Sequence, residues 1–69
     1  MKYSVYNNTD GIYASPDLFD TERRARAFVR LFLRRFRHQG YYLTFKLERI
    51  PIERVELEVL EVDPREWDA

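Results

Sequence analysis

Residues 41–59, YYLTFKLERIPIERVELEV, decide how many strands the chain has and how they pair. The stretch holds no Gly or Asn to mark a turn, so periodicity has to locate one. Tyr41, Leu43, Phe45 and Leu47 alternate with Tyr42, Thr44, Lys46 and Glu48, the period-two pattern of a strand with one face buried. Val55, Leu57 and Val59 alternate with Glu56 and Glu58 in the same way. Pro51 lies between them and reads as a connector, because proline cannot donate to a ladder. Folding the two runs antiparallel about Pro51 sets Leu47 opposite Val55, Phe45 opposite Leu57 and Leu43 opposite Val59. It also places Lys46 across from Glu56 as an opposite-charge pair. The alternation slips at VLEV (59–62), which predicts a bulge near Leu60.

Upstream, KYSVY (2–6) alternates as a strand and NNTDG (7–11) supplies residues that tolerate positive φ in a tight turn. IYAS (12–15) can return as a short second strand, stopped by Pro16. Asp20 or Thr21 caps a helix over about 21–39, and Gly40 suits the left-handed position that ends it. The predicted fold class is α+β. A single helix packs on one face of a mostly antiparallel three- to four-stranded sheet, in the order ββαββ, or βαββ if the second strand does not form. Residues 1–64 form the domain and 65–69 a polar C-terminal tail from which Trp67 packs back or frays.

The helix sequence, TERRARAFVRLFLRRFRHQG (21–40), carries two stripes. Ala25, Phe28, Val29, Phe32 and Phe36 share an arc of about 100°, the width needed to roof one sheet. Arg23, Arg26, Arg30, Arg34 and Arg37 gather on the opposite side. Leu31 and Leu33 stand on opposite rims of the apolar stripe and widen it to roughly 200°, twice what one sheet covers. Either the N-terminal hairpin wraps over one rim, or apolar surface stays exposed beside arginine. Arginine-bordered apolar surface is the composition of protein–protein contacts, where lysine is scarce. This chain has two lysines against ten arginines.

Twelve basic and twelve acidic residues cancel, yet residues 20–39 stand near +5 and residues 48–69 near −5. Glu56 and Glu58 are expected on the sheet face turned away from the helix, which makes the molecule bipolar. The expected partner is therefore another protein with an acidic, partly apolar surface, or a second copy of this chain. A binding surface engineered onto a small scaffold carries the same pattern. The alternative is nucleic acid, with the arginines tracking phosphate and Tyr6, Tyr13 and Tyr42 offering rings on an open sheet face. Glu48, Glu56 and Glu58 on that same face oppose it.

Chemistry is excluded by inventory. The chain has no cysteine, which excludes a thiolate site, and one histidine, which excludes a histidine-based zinc set; no catalytic triad is expected around His38. His38 reads as a cation near the negative end of the helix dipole. Its two glycines, Gly11 and Gly40, make no phosphate loop. No catalytic residue, metal, cofactor or small-molecule substrate is expected. No apolar run approaches the ~20 residues of a membrane span, and the N-terminus lacks the plan of a signal peptide. A cytoplasmic protein that does not engage a membrane is the resulting expectation.

The opening, MKYSVY…DGIYASPDL…DTERRARAF, resembles HicB-type antitoxins. These are small domains that start MKY, run through an aromatic strand into a PDL segment, and enter a helix at DT. The matching positions are Met1, Lys2, Tyr3, Asp10, Gly11, Tyr13, Pro16, Asp17, Leu18, Asp20 and Thr21. The resemblance implies a small RNase toxin as partner. This chain departs from the pattern in lacking the Pro-Gly-Cys stretch, in opening its helix with arginines, and in the long hairpin expected after the helix.

Overall fold

The computed structural model describes residues 1–67. Strand β1 (Lys2–Asn7) leads through a turn into β2 (Ile12–Tyr13), and helix α1 (Glu22–Arg37) follows. Then come β3 (Tyr41–Leu43), β4 (Arg49–Pro51), a 3-10 turn at Ile52–Arg54, β5 (Leu57–Val62) and a last 3-10 turn at Pro64–Glu66. The fold is α+β: one helix packs with an antiparallel three-stranded sheet, ordered β2-β1-β5, and with a two-stranded ladder, β3-β4.

The helix begins and ends for the reasons its sequence supplies. Thr21 is the N-cap, its hydroxyl accepting from the Arg24 amide at 3.1 Å. Gly40 ends the turn beyond the helix at φ +85° and donates to the Phe36 and Arg37 carbonyls. Gly11, at φ +71°, closes the β1–β2 turn with its amide on the Asn7 carbonyl. Lys2 bonds to Asp20 across the start of the helix, and this ammonium holds the Asp20 carboxyl below its ordinary range.

The hairpin about Pro51 does not form. Tyr41, Tyr42 and Leu43 pair with Pro51, Ile50 and Arg49, so the chain reverses at residues 44–48, inside the run that alternates most regularly. Thr44 builds that turn. Its amide donates to the Glu48 carbonyl, its carbonyl accepts from the Leu47 amide, and its hydroxyl accepts from the Glu48 amide. Pro51 is the last residue of β4 and not a connector. β5 is then free to pair with β1, in an unbroken register from Lys2↔Val62 to Asn7↔Leu57 with no bulge at Leu60.

The physical reason is β1. Its residues Ser4, Val5 and Asn7 are sealed from solvent, which requires a neighbour on both edges and cover on both faces. A two-residue β2 cannot provide that alone, and β5 does. The far face of the sheet carries Tyr6 against Tyr13 and Tyr13 against Trp67, edge to face at 5.1 and 4.7 Å. Trp67 also donates to the Pro16 carbonyl at 3.3 Å, so this part of the C-terminal tail packs back. Asp68 and Ala69, at the end of the predicted tail, lie outside the described residues. VLEV is apolar on both faces because Leu60 stands opposite buried Ser4 on the far side, while Val59 stands opposite Val5 on the near side.

On the helix side, Phe28, Phe32 and Phe36 form a continuous aromatic row. Phe19 meets Phe28 at 5.3 Å, and Tyr42 closes the other end at 5.6 Å from Phe32 and 4.9 Å from Phe36. Tyr42 is itself buried, so it is a core residue and not a ring on an open face. Ala25 is fully buried where the helix needs a small side chain.

Candidate protein-binding surface

Arg23, Arg26, Arg30, Arg34 and Arg37 are all exposed on the outer side of α1. Glu22 sits one turn before Arg26 and accepts from it at 3.3 Å. Among the described residues, Arg23, Arg30, Arg34 and Arg37 form no ion pair, and no glutamate of β5 reaches the helix arginines. Glu56 and Glu58 are exposed. Glu58 lies opposite Tyr6, on the face away from the helix, so the separation of charge persists in three dimensions.

The two leucines part company. Leu31 is 63% exposed. Leu33 is half-buried and shares an open pocket with Ile52 and Glu53 of the first 3-10 turn. Around them lies an open depression of about 770 Å³ lined by Ala27, Arg30, Leu31, Leu33, Arg34, Arg37 and His38. Its lining thus combines three apolar side chains with three arginines and His38. Long arginine stems add apolar contact area while their heads stay in water.

A second exposed apolar group was not legible as a surface. Leu43, Phe45 and Leu47 at the β3–β4 turn are 42%, 63% and 76% exposed. The alternation at 41–48 predicts a buried face for this run, and the structure leaves all three exposed. Lys46 stands 5.9 Å above the Phe45 ring. Leu47 is the one described non-glycine residue with positive φ, at 65°. That conformation costs a leucine about 1–2 kcal/mol. Leu47→Gly should therefore leave stability unchanged or raise it by up to about 1 kcal/mol, although a leucine is removed. Urea denaturation checks this; a loss above that size would mean the side chain is packed.

A polar node fixes the position of this turn. The Tyr42 hydroxyl donates to Asp10 and accepts from the Asn7 amide at 3.2 Å. The other Asp10 oxygen accepts from the Phe45 amide at 3.1 Å, and the Asn7 carbonyl oxygen accepts from the Asp10 amide. Burial, with the adjacent Asp10 carboxylate adding to it, pushes the Tyr42 phenol up to about 12. These bonds tie Asn7, Asp10, Tyr42 and the Phe45 amide to one another. Among the described residues no group of three His, Asp or Glu side chains could hold a metal ion. No described helix is long and apolar enough to cross a membrane.

No family model, curated protein or solved structure matches this chain.

Proposed function

We propose that the protein is a non-enzymatic binding module that engages another protein through the outer face of α1. Leu31 carries this reading. It is a large apolar side chain left in solvent on a helix whose core stripe is already complete, and it sits beside unpaired arginines. A solvated helix face needs the arginines but gains nothing from the leucine. The partner it suits is an acidic surface with an apolar projection, which docks between Leu31 and the guanidinium groups of Arg30, Arg34 and Arg37. Arg23 and Arg26 extend the charged border toward the helix N-terminus.

A small RNase toxin, the partner implied by the HicB-like opening, rests on positions that have structural tasks here. Asp10 and Gly11 hold the first turn and its polar node, and Thr21 caps the helix. For nucleic acid, the burial of Tyr42 removes one of the three rings that reading needs.

The test is Leu31→Glu, in pull-down followed by titration against the captured protein. The variant should fold as the parent does, because the side chain is in solvent. Its affinity should fall by roughly tenfold or more, the size of an interface anchor. Unchanged affinity would remove the helix face as the docking surface. Oligonucleotide titration at two salt concentrations separates the other class, whose affinity would drop steeply with salt.

A further inference from the structure

The outer edge of β5 is the longest unpaired strand edge in the described chain, and its chemistry is self-complementary. β5 stands at the end of the sheet order β2-β1-β5. The Asn8 amide bonds to the Glu56 carbonyl, while Tyr3 and Val5 bond outward to Phe19 and Ala14. In an antiparallel ladder this alternation assigns the even residues of β5 to β1. The amides and carbonyls of Leu57, Val59 and Glu61 therefore point away from the sheet. Their side chains share the helix face, where Leu57 and Val59 border a groove with Arg26, Val29 and Arg30.

The geometry points to pairing of β5 with β5 of a second copy, antiparallel about a two-fold axis through Val59. In that register Val59 faces the second copy's Val59, and Leu57 faces the second copy's Glu61. The three outward-facing pairs exchange about six backbone hydrogen bonds. Each Glu61 carboxylate arrives over the partner's Leu57, beside Arg26 and Arg30, which meet no acid from their own sheet among the described residues. On the far face Glu58 meets Leu60 and Glu56 meets Val62, so no like charges stand opposite one another. Shifting one copy by one residue would bring Glu58 against Glu61 and also set inward-bonding residues against outward-bonding ones. The acids thus disfavour the one-residue slip, which would turn each strand's side chains to the wrong face. The result is a continuous six-stranded sheet with both helices on one face; it shares Arg26 and Arg30 with the helix surface described above but does not use Leu31.

Sedimentation equilibrium of the full chain from about 10 μM to about 1 mM should show a monomer–dimer equilibrium, the range expected of a short edge contact. Val59→Pro removes one outward amide and no bond to β1, and should leave a folded monomer. Glu61→Arg, at an exposed position, should weaken the dimer by roughly tenfold. Adding Arg26→Glu and Arg30→Glu to Glu61→Arg should restore it, which a merely structural role for these residues would not do. Should Val59→Pro fail to fold, the charge reversal and its rescue decide alone. A monomer throughout the range, or a dimer indifferent to the charge reversal, overturns the pairing.

Discussion

Phe32→Ala is expected to destabilise the protein by about 3 kcal/mol, the low end of the range for removing a phenylalanine from a core, since the ring is only half-buried. Phe32 is the centre of the aromatic row. It lies 6.1 Å from Phe28, 5.2 Å from Phe36 and 5.6 Å from Tyr42, so its loss disconnects the two ends of the helix interface at once. At roughly 0.05–0.15 kcal/mol per residue, a chain of 69 residues has only about 3–10 kcal/mol in total. The expected change is therefore a fall in Tm of more than about 10 °C, at roughly 4–8 °C per kcal/mol for domains of this size. Phe45→Ala is the paired measurement. Its ring is 63% exposed, and its removal should cost less than about 0.5 kcal/mol. The hairpin predicted about Pro51 would have made the two substitutions nearly equal, so their ratio tests the strand pairing directly. Comparable losses would contradict the register described above.

That pair also marks the boundary of what the sequence made legible. The helix, its Thr21 cap, its Gly40 stop and the core stripe of Ala25, Phe28, Val29, Phe32 and Phe36 follow from local signals, and all are present. Strand pairing is not local. The alternation at 41–47 is real, but it records residues shared between a two-residue-spaced ladder and a turn, and periodicity cannot distinguish the two. A signal was available and opposed the hairpin. Folding about Pro51 leaves Ile50 and Ile52 in a connector with nothing to cover them. In the structure Ile50 pairs with Tyr42, and Ile52 lies beside Leu33. Accounting for those two isoleucines would have moved the turn to 44–48 and released β5 to flank β1. For the candidate surface, helical geometry puts the five arginines on one exposed side of α1 and leaves open which leucine rim is covered. It could not foresee that Ile52 and Glu53 would stand beside Leu33, because their 3-10 turn arises only once the strands are paired correctly.

Tyr42→Phe should cost about 1–3 kcal/mol at neutral pH, although it removes a single oxygen atom. That hydroxyl is the partner of the Asn7 amide nitrogen, and Asn7 is 1% exposed, so water cannot replace it without opening the sheet. The same substitution should alter the alkaline limb of the stability curve. A phenol is neutral when protonated, and burial raises the folded value to about 12 against an ordinary value of 10.0. Below pH 10 the group is neutral in both states and contributes no slope. Between pH 10 and about 12 the unfolded chain releases the proton while the folded chain retains it. The unfolded state then binds fewer protons, and stability falls as pH rises. Beyond about 12 both states are ionised and the loss is complete. Every other tyrosine is common to parent and variant, so subtracting the two urea-denaturation curves isolates Tyr42. The parent should lose stability faster through this window than Tyr42→Phe does. Asp10→Asn removes the neighbouring charge but leaves the burial. It should move the window downward without abolishing it, since burial is the larger cause. Parallel curves for parent and Tyr42→Phe would show that the phenol is open to water, and that the node does not hold the β3–β4 turn in place.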